Sequence, residues 1–213
     1  MRCDKKDLLL YGVTDRSWLG DRTLAQQVEA SLRGGATMIQ LREKHMDRGS
    51  ILAQALELRG LCGRYGVPLI LNDDAELAQA AGADGVHVGQ SDMEAGRVRA
   101  LLGEDKLIGV SARTVEQALA AQAAGADYLG VGAMFPTGTK QDTRPVSYDT
   151  LKAICAAVDI PVVAIGGIGA GNVAELAGSG IAGVAVVSAL YAQPDVEAAT
   201  RSLRAQVERV VGP

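Results

Sequence analysis

Three polar residues alternate at the end of a predicted strand. The sequence MIQLREK places Gln40, Arg42 and Lys44 at every second position. Successive strand side chains point to opposite faces, so these three are predicted to share a face from which Glu43 is excluded. Two cations beside an amide suit the binding of an anion. The alternative, that Arg42 and Lys44 are ordinary surface charges paired with Glu43, stays open on these residues alone.

Acidic residues follow two further apolar runs of the chain. Asn72 and Asp73 come directly after Leu71, and Asp92 follows the next run. Carboxylate oxygens on neighbouring loops are ligands that Mg²⁺ takes together with phosphate oxygens and water. Asp73 is therefore predicted to bind Mg²⁺. Asp92 can serve as a ligand or as the N-cap of the following helix, whereas Asp74 is interpreted as a cap.

Glycine-rich and hydroxyl-rich segments provide further anion-binding candidates. The pair Gly166-Gly167 can expose backbone N–H groups to a phosphate, with a tight turn requiring positive φ as the alternative. Residues 134–145 form a long segment that is typical of a substrate loop rather than a plain surface loop. The hydroxyl and cationic candidates outside the strands are Ser111, Thr137, Thr139, Lys140 and Ser188.

Short apolar runs alternate with helical segments along the whole chain. The runs are apolar on both faces and bounded by Gly, Pro, Asn or Asp, as expected for parallel strands covered on both sides. The predicted strands are residues 8–13, 38–41, 69–71, 85–88, 107–110, 128–131, 162–165 and 183–186. Cap-type residues and glycines bound the predicted helices, which are residues 23–33, 50–65, 75–80, 93–102, 114–123, 147–157, 172–177 and 196–211.

The sequence also repeats. The segment AAGADGVHVG at residues 80–89 matches AAGADYLGVG at residues 123–132, and residues 35–39 and 180–186 resemble both more weakly. Eight strand–helix units predict an α/β fold, a compact (β/α)8 TIM barrel formed by a single catalytic domain over residues 1–213. An open doubly wound sheet is the alternative, but no G-x-G-x-x-G sequence follows the first strand. In a barrel, all the candidates above should converge on the rim at the carboxyl ends of the strands.

Composition excludes several classes of function. The 213 residues are 48% hydrophobic with a formal net charge of −4, so we expect a globular protein with no nucleic-acid or membrane partner. The three cysteines are far apart and form neither a disulfide framework nor a zinc motif. No signal sequence or membrane-spanning run is present in the sequence, and we expect a cytoplasmic location. A homo-oligomer stays open.

The candidates divide into two anion sites on the predicted rim. Gly167 and Ser188 suit a monophosphate. Arg42, Lys44 and Lys140, together with a divalent metal, carry more positive charge than a monophosphate requires. They suit a pyrophosphate that departs with its charge neutralised.

Six stretches, in order along the chain, resemble the thiamine-phosphate synthase family. They are residues 10–15, 40–44, 71–73, 85–92, 135–140 and 164–168, and together they cover nearly the whole chain. The resemblance implies a compact TIM barrel and a Mg²⁺-dependent transferase. Such an enzyme joins the hydroxymethylpyrimidine group of its pyrophosphate to the nitrogen of hydroxyethylthiazole phosphate, or of its carboxylated form, and releases pyrophosphate and thiamine phosphate. With the carboxylated thiazole, carbon dioxide also leaves.

The resemblance also implies a role for each matching residue. The pyrimidine pyrophosphate would contact Gln40, Leu41, Arg42, Glu43, Lys44, Asn72, Ser111 and Lys140, of which Arg42, Lys44, Ser111 and Lys140 would be catalytic. Mg²⁺ would be held by Asp73 and Asp92. The thiazole phosphate would contact Thr137, Gly138, Thr139, Gly167, Val187 and Ser188. The chain departs from the family pattern at Ala133 and Gly138, where proline is usual.

The reaction implied by the resemblance is dissociative. Pyrophosphate leaves first, and the thiazole nitrogen captures the pyrimidine methylene cation. No enzyme nucleophile or general base is needed, in agreement with a sequence that offers no convincing Ser/His or Cys/His pair. His87, between two valines of a predicted strand, is accordingly interpreted as a core residue rather than a base.

Three other functions stay open. A thiazole tautomerase of the same superfamily would keep the barrel and the Gly167 phosphate site without needing the cluster of charges. A sugar-phosphate isomerase would need an acid/base pair that the sequence does not offer. A catalytically silent ligand-binding protein differs only in activity.

Overall fold

Eight parallel strands form a closed barrel in which each strand pairs with its sequence neighbours and the last pairs with the first. The computed structural model describes residues 3–137 and 145–212. The strands are β1 (Leu10–Val13), β2 (Met38–Leu41), β3 (Leu69–Asn72), β4 (Gly85–Val88), β5 (Leu107–Ala112), β6 (Tyr128–Gly132), β7 (Val162–Ile165) and β8 (Gly183–Val186). The predicted TIM barrel is therefore confirmed.

Helices surround the barrel, and all of those given below except α7 begin at a residue whose side chain caps the helix. In the described residues they are α1 (Leu24–Gly34), α2 (Arg48–Tyr65), α3 (Ala75–Ala81), α4 (Ala95–Leu102), α5 (Val115–Ala123), α6 (Tyr148–Ala157), α7 (Ser188–Tyr191) and α8 (Val196–Val210). Asp74 caps α3 by accepting the backbone N–H of Leu77, as predicted. The capping alternative for Asp92 is wrong, because α4 begins later and its N-cap is Glu94.

Two predicted elements differ from the structure. The predicted first strand, residues 8–13, begins only at Leu10, because Leu8 ends a 3₁₀ turn (Lys5–Leu8) that the Asp4 side chain caps by accepting the N–H of Lys6. The predicted helix at residues 172–177 is a 3₁₀ turn (Val173–Leu176) instead. The glycines that follow it and the bond from Ser179 Oγ to the Leu176 carbonyl limit it to a single short turn.

Side chains of the strands fill two cores, one on each face of the barrel wall. The inner core contains buried residues that point towards the barrel axis, among them Tyr11, Met38, Ile70, Tyr128 and Val163. The outer core lies between the strands and the helices and contains the alternate residues of the same strands. Burial on both faces explains why the predicted strands show continuous apolar runs rather than alternation.

The sequence repeat corresponds to a repeated backbone hydrogen bond. The residue before each even-numbered strand donates its N–H to a carbonyl of the preceding odd-numbered strand. The donors are Thr37, Asp84, Asp127 and Ala182, and the acceptors are Leu10, Leu69, Ile108 and Val162. The weakly similar segments at residues 35–39 and 180–186 are thus structurally equivalent to the two strong copies.

None of the helices in residues 3–137 and 145–212 is both long and apolar enough to cross a bilayer.

Candidate active site

A cavity opens at the carboxyl ends of the strands, where the sequence predicts the functional residues. Its walls include Gln40, Arg42, Asn72, Ser111, Thr137, Gly167, Val187 and Ser188. An outer groove shares Arg42, Thr137, Gly167 and Ser188 with this cavity and extends to Lys44 and to Trp18 of the loop after β1. One connected space therefore touches residues of both predicted anion sites.

Gln40 lies at one end of a buried chain of hydrogen bonds across the barrel interior. Its Nε2 donates to Tyr11 OH at 2.7 Å, and Tyr11 OH lies 3.0 Å from Tyr128 OH. Tyr128 OH is 3.2 Å from His87 Nδ1, and His87 Nε2 is 3.0 Å from Ser111 Oγ. We call these five residues the interior chain. Gln40, Tyr11, His87 and Ser111 of this chain line the cavity. His87 is buried with both ring nitrogens bonded, as its interpretation as a core residue predicted. The prediction that no Ser/His pair is present is wrong, because β4 and β5 are adjacent and bring His87 to Ser111.

Two glycines make room for the centre of the interior chain. A Cβ atom on Gly109 would lie 2.5 Å from His87 Nδ1, and one on Gly130 would lie 3.0 Å from His87 Cε1. Burial raises the pKa of the Tyr11 and Tyr128 phenols above the ordinary value of 10, so both hydroxyls keep their protons at neutral pH. The interior chain is therefore tightly packed and formed by protonated phenols.

Arg42 leaves β2 directly into the cavity wall. Its backbone N–H donates to Thr14 Oγ1 at 3.0 Å, which fixes the exit of the strand. Within the described part of the chain, the buried Nε of Arg42 has no hydrogen-bond partner. A buried guanidinium N–H without an acceptor is costly, and an anionic ligand in the cavity would satisfy it. The shared face predicted for Gln40 and Arg42 is confirmed, since both line the same cavity.

The strand alternation ends at Leu41, and the prediction for Glu43 is wrong. Glu43 borders the same outer groove as Lys44 instead of lying on the opposite face. Its side chain is only 5% exposed and accepts a hydrogen bond from Arg16 Nε at 2.7 Å. Desolvation raises the pKa of the Glu43 carboxyl, and the Arg16 charge opposes that rise. Beyond the end of β2, this ion pair determines where the Glu43 side chain points.

Leu41 belongs to the outer core. Its side chain is 2% exposed and packs among residues between the strands and the helices. The predicted contact between Leu41 and a substrate is therefore restricted to the backbone, because the side chain points away from the barrel axis.

The two predicted metal ligands lie on adjacent loops of the rim. The Asp73 N–H donates to the His87 carbonyl at 2.8 Å, which holds Asp73 beside β4 directly after β3 ends. Asp73 has a φ of 65°, and its carboxylate accepts from Asn72 Nδ2 at 2.6 Å. Asp92 folds back to accept the Gly89 N–H at 2.7 Å. Both residues are exposed, and the described residues contain no cluster of three or more potential metal-binding side chains.

The glycine loop after β7 packs closely against the segment after β6. Gly166 and Gly167 have φ values of 95° and 68°, so the turn alternative is confirmed, and the phosphate role stays a prediction. A Cβ on Gly167 would lie 2.5 Å from the Pro136 carbonyl oxygen. Asn172 braces the loop, because its side chain accepts from Gly169 N–H and donates to the Gly167 carbonyl, both at 2.9 Å.

Three predicted site residues, Gly138, Thr139 and Lys140, lie outside the described residues. Their predicted contacts stay predictions. Thr137, which precedes them, lies in the wall shared by the cavity and the outer groove.

The chain is similar over most of its length to thiamine-phosphate synthases. The profile of the family described as thiamine monophosphate synthase matches residues 10–190. The chain belongs to this family. A thiamine-phosphate synthase of Ruminiclostridium cellulolyticum is 48% identical over 199 residues, covering 93% of this chain and 95% of the relative. One of Chloroflexus aurantiacus is 50% identical over 202 residues, covering 94% and 93%.

A solved structure agrees with this family. The thiamine phosphate pyrophosphorylase of Pyrococcus furiosus superposes with a TM-score of 0.90 at 38% sequence identity, and the match covers 98% of this chain and 99% of that one. As a member of the thiamine monophosphate synthase family, the protein is a transferase of thiamine biosynthesis.

Several residues of this family member's site were not predicted as functional. Tyr11 and Arg113 line the cavity, Tyr128 bonds to Tyr11 beneath it, and Asn172 braces the glycine loop. For Arg113 the sequence contained a usable signal, because it follows Ser111 at the same two-residue spacing that relates Gln40 to Arg42. The two tyrosines were hidden within buried strands, where only the closed barrel shows which face points inward.

Proposed function

We propose that the protein is a thiamine-phosphate synthase that transfers the (4-amino-2-methylpyrimidin-5-yl)methyl group from its pyrophosphate to hydroxyethylthiazole phosphate or its carboxylated form. The observation that carries the proposal is the single connected cavity. It extends from Gln40, Arg42 and Ser111 on one side to Gly167 and Ser188 on the other. A two-substrate transfer needs both anion sites to open on the same space.

The pyrimidine pyrophosphate would bind along the β2 side of the cavity. Gln40 would meet the ring, and Arg42 would donate its unsatisfied Nε–H to the pyrophosphate. Lys44 of the outer groove and Lys140 would add positive charge to the same anion. Asn72 and Ser111 would complete the site as hydrogen-bonding groups of the wall.

The thiazole phosphate would bind at the opposite side of the same cavity. The open backbone of Gly167 and the hydroxyl of Ser188 would accommodate the phosphate, together with Val187. Thr137, Gly138 and Thr139 would contact it from the segment after β6. The close approach of Gly167 to the Pro136 carbonyl couples these two walls.

Asp73 and Asp92 would hold Mg²⁺ through their carboxylates. Their chemistry fits this ion, because both are exposed oxygen donors on adjacent loops and Mg²⁺ usually keeps water and phosphate oxygens as its other ligands. When bound, Mg²⁺ supplies positive charge beside the departing pyrophosphate.

The proposed transfer is dissociative. The bond between the pyrimidine methylene carbon and the pyrophosphate oxygen breaks, and its electron pair leaves with pyrophosphate. The lone pair of the thiazole nitrogen then forms the new carbon–nitrogen bond. With the carboxylated thiazole, the carboxylate leaves as carbon dioxide and the electron pair of the broken carbon–carbon bond stays with the ring. The residues contribute by neutralising the leaving group and by holding the nitrogen near the carbon, without a covalent intermediate on the enzyme.

The decisive experiment combines purified protein, both substrates and Mg²⁺. We expect thiamine phosphate and pyrophosphate in equal amounts, and neither product when one substrate is omitted. Absence of thiamine phosphate under these conditions would overturn the proposal. For the dissociative step, an electron-withdrawing substituent on the pyrimidine ring should slow single-turnover transfer by orders of magnitude, and an unchanged rate would contradict a cationic intermediate.

The cytoplasm is the proposed location, supported by the small charged substrates of the proposed reaction. Fractionation of cells that express the full chain tests this, and recovery in the membrane or secreted fraction would contradict it. The net charge of −4 further supports small-molecule partners over nucleic acid.

A further inference from the structure

The orientation of the Gln40 amide determines the direction of the hydrogen bonds in the interior chain. Gln40 donates to Tyr11 through Nε2, so the Tyr11 oxygen is an acceptor. The Tyr11 hydroxyl therefore donates its proton in a hydrogen bond to Tyr128 OH, which is 3.0 Å away. Tyr128 accepts this hydrogen bond, and its own hydroxyl proton is donated to His87 Nδ1 at 3.2 Å. Every phenol in this direction accepts one hydrogen bond and donates one.

An accepting Nδ1 fixes the tautomer of His87. A neutral imidazole has one donor and one acceptor nitrogen, so Nε2 carries the proton and donates to Ser111 Oγ at 3.0 Å. Ser111 accepts at its oxygen and keeps its own proton to donate. Because Ser111 lines the cavity, that proton is available to a bound ligand.

The reverse direction leaves a buried proton without an acceptor. If Tyr128 donated to Tyr11, the Tyr11 oxygen would accept from both Tyr128 and Gln40, and its own proton would have no acceptor in the chain. Tyr11 is 1% exposed, and a buried donor without an acceptor is unfavourable because it has lost its bonds to water. A doubly protonated His87 would force the same arrangement, since its Nδ1 would donate to Tyr128.

We infer that the interior chain sets the hydrogen-bonding polarity of the substrate cavity: Gln40 presents its Oε1 as an acceptor, and Ser111 presents its hydroxyl as a donor. Tyr11, Tyr128 and His87 are therefore positioning residues that determine specificity. The ligand must carry a donor at the Gln40 end and an acceptor at the Ser111 end.

The chemical class of the ligand rests on the proposed function. The exocyclic amino group of the aminopyrimidine would be the donor that meets Gln40, and a pyrophosphate oxygen would be the acceptor that meets Ser111. A pyrimidine with a carbonyl oxygen in place of the amino group would set one acceptor against another, and the site would reject it.

The tautomer of His87 tests the inference without substrate or turnover. The chain has two histidines, so ¹⁵N NMR of the wild type and of His45→Gln assigns the His87 ring nitrogens. We expect a protonated Nε2 and an unprotonated Nδ1 at neutral pH. A protonated Nδ1, alone or together with Nε2, would overturn the inference. Because no reaction is measured, loss of the proposed activity does not affect this result.

Reversing the hydrogen-bonding role of residue 40, at one end of the interior chain, provides a sharper test. An ionised carboxylate only accepts, so Gln40→Glu should draw the Tyr11 proton towards itself and convert His87 to the tautomer protonated at Nδ1. Gln90→Glu is the matched control. It adds the same charge near the interior chain, and Gln90 donates to the Ser111 backbone carbonyl rather than to a side chain of the interior chain. Retention of the Nε2 proton in folded Gln40→Glu, or conversion in Gln90→Glu, would contradict the inference.

Tyr128→Phe covers the case in which Gln40→Glu fails to fold. This change removes the hydroxyl that donates to Nδ1, so the single tautomer should give way to a mixture, and an unchanged tautomer would overturn the inference. In the wild type, kcat/KM for the amino substrate should exceed that for its oxo analogue by about 100-fold or more. Tyr128→Phe should reduce this ratio at least about tenfold, and an unchanged ratio would contradict a role in specificity.

Discussion

Asp84 and Asp127 occupy equivalent positions of the sequence repeat and make the same hydrogen bond. Asp84 Oδ2 accepts the Leu69 N–H at 2.9 Å, and Asp127 Oδ2 accepts the Ile108 N–H at 2.8 Å. Each carboxylate therefore joins an odd-numbered strand to the even-numbered strand that follows. The two differ in one respect, because Asp127 also pairs with Arg99 at 2.6 Å.

This difference predicts unequal costs of removing the two carboxylates. Asp127→Ala leaves Arg99, whose side chain is 16% exposed, without its counter-charge, and should lower the free energy of unfolding by about 2–3 kcal/mol. Asp84→Ala loses the backbone hydrogen bond and should cost about 1 kcal/mol. Urea unfolding of both variants measures this, and equal losses would show that the Arg99 pair adds nothing.

Arg16 is expected to hold down the pKa of Glu43. Burial raises the pKa of this carboxyl above the ordinary 4.5 and Arg16 opposes the rise, so Arg16→Met should raise it further. A carboxyl that binds protons more tightly when folded loses its stabilising contribution as pH rises. The free energy of unfolding of the variant should thus fall more steeply than that of the wild type from about pH 4.5 upward through the folded pKa.

Carboxyl ¹³C NMR titration and urea unfolding across pH check this prediction. Arg33→Met is the matched control, because Arg33 pairs with the more exposed Glu29. It should leave the pKa of Glu43 unchanged. A pKa of Glu43 that stays the same or falls in Arg16→Met would rule out the expected effect.

Gly109 should not tolerate even a methyl group. Its Cβ would contact Tyr128 and lie 2.5 Å from His87 Nδ1, so Gly109→Ala should lower the free energy of unfolding by about 1–3 kcal/mol. Gly63→Ala is the control, because nothing lies within 4 Å of the added Cβ in α2 and alanine favours helix by up to about 1 kcal/mol. Thermal unfolding should show opposite signs, and a neutral Gly109→Ala would contradict tight packing.

Substitutions of the neighbouring residues Asp73 and Asp74 should distinguish a metal ligand from a helix cap. Asp73→Asn and Asp92→Asn should each raise the Mg²⁺ concentration for half-maximal rate by about tenfold or more, because each removes a proposed anionic ligand. Asp74→Asn keeps a good N-cap and should leave this concentration nearly unchanged. Initial rates in Mg²⁺ titrations measure the difference, and similar behaviour of all three variants would refute the assignment.

Gly167 should govern the thiazole phosphate rather than the pyrimidine substrate. Gly167→Ala places a Cβ 2.5 Å from the Pro136 carbonyl and strains a φ of 68°. We expect the KM for thiazole phosphate to rise about tenfold or more, with a smaller change for the pyrimidine pyrophosphate. Gly171→Ala, whose Cβ meets nothing within 4 Å, is the control. Equal changes for both substrates would indicate general damage to the site.

The sequence by itself determined the barrel and most of its rim. Short doubly apolar strands, alternating helices and the repeat at residues 80–89 and 123–132 required a parallel closed sheet. The strand ends then located Gln40, Arg42, Asn72 and Ser111 at one cavity. These predictions succeeded because they depend on local periodicity and on one topological rule.

Only the tertiary structure decided what happens beyond the strand ends and inside the barrel. Glu43 turns to Arg16 because a contact across two loops replaces strand alternation once β2 has ended. Tyr11, Tyr128 and His87 meet through hydrogen bonds between residues 117 and 41 positions apart, a distance that no local pattern encodes. The closed barrel brings them together because its interior side chains come from strands on opposite sides of the axis.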